Sequence, residues 1–79
     1  MNPRVVEVKA NDDYTLKLKF TNGEIRLFNA KQYLAKGIFK ELLDIHLFKT
    51  VKVFDGTVQW IHEQDLCPDT LYEKSLPIE

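Results

Sequence analysis

The stretch FTNGEIRLF, residues 20–28, decides the fold of the first half of the chain. Apolar and polar residues alternate on both sides of Asn22 and Gly23, and this alternation is typical of two strands joined by a tight hairpin. Asn-Gly is the preferred pair for a two-residue type I′ turn, because both turn positions need positive φ. A two-residue loop fixes the register, so we predict that Phe20 lies opposite Ile25.

This register predicts that the hairpin has one apolar face and one polar face. Leu18 lies opposite Leu27 on the apolar face, so the hydrophobic pattern agrees with the turn chemistry. On the polar face Lys19 lies opposite Arg26, and like charges in that position destabilise a strand pair by up to about 1 kcal/mol. The basic outer face is therefore either a binding surface or a surface that contacts only water.

A second hairpin is predicted later in the chain, around Asp55 and Gly56. Asp-Gly also suits a two-residue type I′ turn, and strand-forming residues flank it on both sides. The turn predicts that Val53 lies opposite Val58, with Trp60 in phase with Val58 on the same face. Trp60 is therefore predicted to lie in the core.

Helix signals lie between the two hairpins and after the second one. Asn29 and Asp44 can each cap the start of a helical turn, and Gly37 can end one. Pro68 suits the first position of a C-terminal helix, where the N–H that proline lacks has no partner in any case. Leu71 of that helix is predicted to pack on the sheet.

The predicted elements occur in the order β-β-β-α-α-β-β-α. In the first strand, Val6, Val8 and Ala10 share one face. A helical block between runs of strands predicts an α+β domain with an antiparallel sheet of about five strands and short helices packed on one face. We expect a single domain over residues 1–79, with 76–79 as a frayed tail. Besides the first hairpin, the predicted strands cover 4–10, 50–54 and 57–61. The predicted helices cover 29–37 and 38–44, and residues 65–75 are predicted to form a turn that leads into a short helix.

Length, charge and hydropathy limit the classes of function. The 79 residues carry 11 Lys and Arg against 12 Asp and Glu, a formal net charge of −1, and the sequence pI is about 6.1. A nucleic-acid-binding domain usually has a denser basic cluster and a higher pI. No apolar run approaches the roughly 18 residues of a membrane span, and the N-terminus has no signal-peptide pattern. We therefore expect a cytoplasmic chain that binds no membrane.

Few residues have catalytic or metal-binding chemistry. His62, Glu63 and Asp65 form one local cluster of metal-ligand types that Cys67 could join, and the spacing of these residues matches no zinc motif. Cys67 is the single cysteine, so it cannot form an internal disulfide, and we predict a buried or half-buried apolar side chain. The sequence therefore predicts no catalytic residue, no metal site and no cofactor, and indicates a chain that is not an enzyme.

Two groups of side chains are candidates for contacting a partner protein. One is the basic face of the first hairpin, and the other is the polar edge in DLCPDTLY at 65–72. Nucleic-acid-binding sheets place aromatic side chains among the basic ones, and on this hairpin only Phe28 meets that requirement. The candidate partner-binding residues are Lys17, Lys19, Arg26, Phe28, Asp65, Asp69 and Tyr72.

Several segments of the chain resemble one bacterial family. They are PRVVEV at 3–8, YTLKLKFTNGEIRLFN at 14–29, IFKELLD at 38–44 with Phe48, DGTVQW at 55–60 and DLCPDTLY at 65–72. Together they are similar to a small bacterial domain-of-unknown-function family, number 2442, with the spacing kept along nearly the whole chain. The resemblance implies small single-domain proteins. Some are encoded beside another short protein in an arrangement like a toxin–antitoxin pair, and others are fused to a helix-turn-helix segment.

The residues and the resemblance together favour a non-enzymatic protein–protein interaction module, the antitoxin-like partner in a two-gene operon. The expected partner is the product of the neighbouring gene. The alternative is a nucleic-acid-associated regulatory domain that uses the basic face of the first hairpin.

Overall fold

The computed structural model describes residues 2–78, which form six strands and four short helices. The predicted α+β class is confirmed. The strands are β1 (Val5–Ala10), β2 (Thr15–Phe20), β3 (Ile25–Asn29), β4 (Lys52–Phe54), β5 (Thr57–Gln59) and β6 (Leu76–Pro77). The helices are 3-10 helices at Lys31–Tyr33 and Gly37–Leu43, and α-helices α1 (Ile45–Phe48) and α2 (Pro68–Glu73).

The strands pair antiparallel, as predicted, but they form two sheets instead of one sheet of about five strands. The main sheet has the order β1-β2-β3-β6, and β4 and β5 form a separate two-stranded sheet. The small sheet contacts the β1 edge of the main sheet, where the Val5 N–H donates to the Gly56 carbonyl at 2.9 Å. The second hairpin therefore covers the edge of β1 at its first residue.

The first hairpin has a different register from the predicted one. Lys19 lies opposite Ile25. The Phe20 N–H donates to the Glu24 carbonyl at 2.9 Å, so the loop has three residues instead of two. Gly23 adopts a φ of 86° at the last loop position, as the glycine of a three-residue loop with a bulge does. The predicted two-residue turn is therefore wrong by one residue.

This slip of one residue turns the β3 side chains to the faces opposite to the predicted ones. Arg26 lies opposite Leu18 on the inner face, and Phe28 is fully buried. Ile25 and Leu27 are half-buried and lie on the other face, beside the lysines of β2. The predicted apolar and polar faces of β3 are thus exchanged.

A β-bulge changes the face pattern of β1. The register between β1 and β2 shifts between Val5 and Glu7, so Val6 has no partner directly opposite. Val5 is buried in the core, whereas Val6 is exposed. The predicted common face of Val6 with Val8 and Ala10 is wrong for Val6, because the bulge inserts one residue. Val8 and Ala10 pack against the core.

The second hairpin has the predicted register. Val53 lies opposite Val58, and the turn residues Asp55 and Gly56 have positive φ values of 50° and 79°. Val58 and Trp60 are buried, which confirms the predicted core position of the tryptophan. Val53 is 36% exposed, so only the β5 side of this pair lies in the core.

Gly56 is the position of this hairpin where an added side chain would be strained and crowded. A Cβ added there would lie 2.9 Å from Cδ and 3.2 Å from Cβ of Arg4. We expect Gly56→Ala to lower the free energy of unfolding by about 1–2 kcal/mol through the left-handed backbone alone, and further by displacing Arg4. Gly23→Ala is the matched control, because its φ is similar and no atom lies within 4 Å of the added Cβ. Equal losses in urea denaturation would show that Arg4 moves aside freely.

The two helices predicted between the hairpins are 3-10 helices, which are usual as short connectors. The N-cap position of the first of them is Ala30 and not the predicted Asn29, although the Asn29 Oδ1 accepts from the Lys31 N–H at 3.1 Å. Gly37, which was predicted to end a helix, begins the second 3-10 helix. Asp44 caps α1 as predicted, since its Oδ1 accepts from the His46 N–H at 2.9 Å.

The core is one cluster between the inner face of the main sheet, the helices and β5. Trp60 is its largest member, and its Nε1–H donates to the Phe48 carbonyl at 2.8 Å. Its ring packs against Phe39 and Phe48, with centroids 6.3 and 5.9 Å away. The buried apolar residues of the cluster are Val5, Leu16, Leu18, Phe20, Phe28, Ala30, Leu34, Leu42, Phe48, Val58, Trp60 and Leu71.

The C-terminal segment returns to the main sheet. α2 begins with Pro68, as predicted, and buries Leu71 against the core. The sequence predicted a frayed tail over residues 76–79, but β6 forms within it and pairs with β3. Glu79, the last residue of that predicted tail, lies outside the described residues.

Candidate partner-binding surface

One face of the main sheet is turned away from the core and carries side chains from all four strands. We call it the outer face. Directly opposite residues of paired strands point to the same side, and side chains along a strand alternate between the two sides. The outer face therefore consists of Glu7 and Lys9 from β1, Lys17 and Lys19 from β2, Ile25 and Leu27 from β3, and Leu76 and Ile78 from β6 and its end.

The β1–β2 half of the outer face is basic. Lys9 lies directly opposite Lys17, and both are exposed. Lys19 pairs with Glu7 at 3.5 Å, but the two side chains are 47% and 69% exposed, so solvent weakens their attraction. Within residues 2–78, Lys9 and Lys17 have no ion-pair partner. A shallow depression of about 280 Å³ lies over this half.

The β3–β6 half of the outer face is aliphatic. Leu27 lies opposite Leu76, and Ile78 donates its N–H to the Ile25 carbonyl at 3.0 Å. Leu76 is 72% exposed and Ile78 is 46% exposed, while the two β3 residues are half-buried. We call these four residues the aliphatic strip. A contiguous group of apolar side chains at the surface is a candidate for contact with a partner.

Arg26, which was predicted to lie on the basic outer face, is instead bound within its own chain. Its Nε donates to Ser75 Oγ at 2.8 Å, its Nη2 donates to the Ser75 carbonyl at 2.7 Å, and its Nη1 donates to Glu24 Oε1 at 2.9 Å. Its guanidinium carbon lies 4.4 Å from the centre of the Tyr72 ring. Arg26 therefore joins β3 to the end of α2.

Phe28, the aromatic residue predicted to lie on the basic face, is in the core. It is fully buried, and its ring stacks on Tyr33 with the centroids 5.4 Å apart. The prediction placed it opposite Lys17, whereas the observed register places it opposite Leu16. Among the residues that the structure describes, the outer face has no aromatic side chain.

The three candidates in DLCPDTLY lie around α2. Asp65 and Asp69 are exposed, and Asp69 is in the first turn of α2, as predicted. Tyr72 is half-buried, its ring meets Phe20 edge-on with centroids 5.1 Å apart, and its hydroxyl donates to Glu24. Tyr72 is thus occupied within the fold, and the two aspartates are the accessible part of this segment.

The histidine and the cysteine of the candidate metal cluster lie at the surface. His62 contacts Glu41, and the Gln64 amide donates to the same carboxylate at 2.6 Å. These two hydrogen bonds, that of His62 first, hold the pKa of Glu41 below its ordinary value. Cys67 is exposed, so its predicted burial is wrong; it occupies the N-cap position of α2. In the described part of the chain no group of three or more His, Cys, Asp and Glu could hold a metal ion.

Comparison with known proteins assigns the chain to a family. A family model described as protein of unknown function, DUF2442, matches residues 5–77, nearly the whole chain. The chain belongs to the DUF2442 family. This confirms the family that the sequence segments indicate. Neither the curated proteins nor the solved structures contained a match to this DUF2442 chain. Among its described helices, none has the length and apolar composition that a bilayer span requires.

Sequence reasoning missed the aliphatic strip of this DUF2442 chain, although two signals for it exist. Residues 21–23, Thr-Asn-Gly, also fit a three-residue loop with glycine in its last position, and that loop would turn both β3 members of the strip outward. Leu76 and Ile78 alternate around Pro77, and proline is accepted in an edge strand. Both signals are weak alone, and the strip exists only when both strands form.

Glu24 and Tyr72 of this DUF2442 chain give its stability a pH dependence. Hydrogen bonds from the Tyr72 hydroxyl and then from Asn22 hold the pKa of Glu24 below its ordinary value. The bond to Glu24 likewise raises the pKa of Tyr72. A lowered carboxyl pKa contributes stability above about pH 4.3 that is lost as the pH falls through the folded-state value. A raised tyrosine pKa contributes stability below about pH 10 that is lost as the pH rises through its folded-state value.

We therefore expect Glu24→Gln to flatten the loss of stability on acidification. The variant has no carboxylate at this position to protonate, so urea midpoints measured from about pH 7 down to 3 should fall less than those of the wild type. Glu7→Gln is the matched control, because among residues 2–78 the Glu7 carboxylate pairs only with the exposed Lys19, at 3.5 Å. Identical acid profiles for Glu24→Gln and the wild type would contradict this assignment.

Proposed function

We propose that the chain is a cytoplasmic, non-enzymatic protein–protein interaction module whose docking surface is the outer face. The observation that carries this proposal is that basic side chains and aliphatic side chains lie next to each other on one face of the sheet. Lys9, Lys17 and Lys19 stand beside a strip of four aliphatic side chains. Such a face offers both apolar area to bury and charges that orient a partner.

A face that contacts only water would look different. Lysines alone would be explained by solubility and by protection of the sheet against self-association. Solubility does not account for the aliphatic strip, in which Leu76 is 72% exposed and lies opposite Leu27. The direct opposition of Lys9 and Lys17 also carries a small energetic cost within the sheet, which an acidic partner would relieve.

The proposed partner is the product of the neighbouring gene, with this chain as the antitoxin-like member of the pair. The support for this step is the DUF2442 membership together with the gene arrangement implied by the resemblance. An antitoxin of this kind acts by binding and needs no reactive constellation of its own. The proposed role therefore agrees with the surroundings of His62 and Cys67, which lie exposed on the surface.

Co-expression of the chain with the neighbouring gene product, followed by size-exclusion chromatography, tests the proposal. We expect the two proteins to elute together at about micromolar concentration, as a specific complex of moderate affinity does. A matched run with the product of an unrelated gene of similar size controls for non-specific association. Separate elution of the two proteins would count strongly against the proposal.

A nucleic-acid-associated regulator is the second candidate, and the observation that favours it is the cluster of three outward lysines. Phosphate contacts make affinity fall steeply with salt, so a salt titration with duplex DNA and single-stranded RNA measures this role directly. The buried position of Phe28 leaves the outer face without a ring for base stacking. The absence of binding at low salt would remove this candidate.

A further inference from the structure

We propose that the segment of the partner that docks on the outer face is an acidic amphipathic helix, an inference that rests on the proposed function. Its apolar side chains lie on the aliphatic strip, and its acidic side chains lie over Lys17 and Lys19. Lys9 stands one strand further out and meets the acidic rim of the partner. We infer an acidic amphipathic segment because the aliphatic strip lies directly beside these lysines.

The spacing of the outer face suits a helix. Adjacent strands lie about 4.8 Å apart, and side chains on the same face of one strand repeat at about 6.7 Å. The strip is two strands wide and two side chains long, which is close to the separation of apolar side chains at i and i+4 of a helix, about 6 Å. A helix about 10 Å in diameter whose axis lies over β3 extends about 5 Å to each side, so it covers both β6 and β2. One flank of the helix therefore faces Lys17 and Lys19.

The charge of the outer face selects an acidic partner over a second copy of the chain. Three lysines stand against one glutamate, and the pair of Lys9 and Lys17 has no carboxylate partner within residues 2–78. In a symmetric dimer of two such faces, the lysines would meet either lysines or the aliphatic strip, and both arrangements leave their charges unpaired. Acidic side chains on the flank of a helix would neutralise these charges instead.

The edges of the main sheet disfavour a partner that adds as a strand. At the β6 edge, the Ile78 N–H points to β3, and N–H groups alternate in direction along a strand, so Pro77 faces the free edge. Proline has no N–H to donate there. At the opposite edge, the Val5 N–H already donates to Gly56 of the second hairpin. The face of the sheet is therefore the more accessible site for a partner.

An anionic membrane and a nucleic acid fit the outer face less well. The aliphatic strip has four side chains, and two of them, Ile25 and Leu27, are half-buried, so it offers a bilayer little apolar area to bury. Three lysines near a membrane surface give only weak attraction, and the face lacks the aromatic side chains that anchor proteins at the interface. Glu7 repels phosphate in either ligand, whereas a partner helix can place a basic or neutral residue opposite it.

The test measures the affinity of the neighbouring gene product for four variants of the full chain. Lys17→Glu reverses a charge on the outer face, and Leu76→Asp places a charge on the strip at its most exposed position. The matched controls are Lys40→Glu and Ile38→Asp, which make the same changes at exposed residues of the 3-10 helix Gly37–Leu43. Circular dichroism of each variant verifies that it is folded.

We expect Lys17→Glu and Leu76→Asp each to weaken binding at least about tenfold, with both controls near the wild type. Wild-type affinity should fall as salt is raised from about 0.05 to 0.5 M, and this dependence should shrink in Lys17→Glu. Hydrogen exchange of the complex should protect an acidic helical segment of the partner.

Several outcomes would overturn the inference and are distinguishable from failure of the proposed function. If the control variants weaken the complex as much as the outer-face variants do, the chain is still an interaction module, but its docking site lies elsewhere. A protected partner segment that is basic or extended rejects the acidic helix alone. Without any complex, both the inference and the proposed function fail. Binding of the chain to phosphatidylglycerol vesicles or to duplex DNA, lost in Lys17→Glu, would assign the face to that ligand instead.

Discussion

Trp60→Ala is expected to remove a large part of the free energy of unfolding of this protein. Removing a large buried aromatic side chain costs about 3–5 kcal/mol, and a chain of this length has a total stability of about 4–12 kcal/mol. Trp60 is the largest side chain in the core and is almost fully buried. The substitution also leaves the Phe48 carbonyl without the donor that Nε1 provides at 2.8 Å.

Far-UV circular dichroism during urea denaturation measures this loss, because the variant lacks the single tryptophan and with it the fluorescence signal. Val53→Ala is the control on the same hairpin, and its 36% exposure predicts a loss of about 1 kcal/mol or less. Trp60→Phe keeps an aromatic ring in the core but removes the N–H and the volume of the second ring of the indole, so it should lose about 1–3 kcal/mol. A folded Trp60→Ala protein with wild-type stability would contradict the core described for this fold.

The two hairpins show what a local sequence can and cannot specify. The Asp55-Gly56 turn was predictable in type and register, because both turn residues adopt positive φ and the flanking residues pair as the two-residue loop requires. Asn22-Gly23 gives an equally strong local signal, yet the loop has three residues. The same dipeptide fits both loop lengths, so local turn chemistry does not decide between them.

The register of the first hairpin is instead decided by contacts that are distant in sequence. Ile25, Leu27 and Phe28 are all apolar, so either face of β3 could be the buried one on hydrophobic pattern alone. The observed register buries Phe28 against Tyr33 and brings Arg26 to Ser75, which is 49 positions away. Neither contact is visible in a local pattern, and this is why the predicted faces of β3 are exchanged.

The candidate site could likewise be predicted from local sequence only in part. Lys17 and Lys19 were predictable, because β2 alternates cleanly and its buried face is unambiguous. The aliphatic strip was not, because it needs both the correct register of β3 and a two-residue strand, β6, that contains a proline. Such a strand is formed by its pairing with β3 and has little propensity of its own.

Arg26→Ala is the second variant with a large expected effect, because it disconnects the C-terminal segment from β3. The arginine donates two hydrogen bonds to Ser75, at 2.8 and 2.7 Å, and its side chain is only 13% exposed. Hydrogen bonds to a charged group contribute about 1.5–3 kcal/mol, and the buried Ser75 would lose both donors at once. We therefore expect a loss of about 2–4 kcal/mol in the free energy of unfolding.

The hairpin offers a matched control in Lys19→Ala, which removes the other cation that pairs with a glutamate there. The Lys19 pair with Glu7 is exposed at a distance of 3.5 Å, so its removal should change stability by less than about 0.5 kcal/mol. Arg26→Lys should recover only part of the loss, because an ammonium cannot reproduce the planar fork that reaches Ser75 and Glu24 together.

Hydrogen exchange measures the loosening of the C-terminal segment directly. In Arg26→Ala the amide of Ile78, whose N–H holds the end of β6 to Ile25, should exchange faster than in the wild type. If Arg26→Ala were as stable as Lys19→Ala, the arginine would not anchor the C-terminal segment. Arg26 would then again be a candidate for contacting a partner.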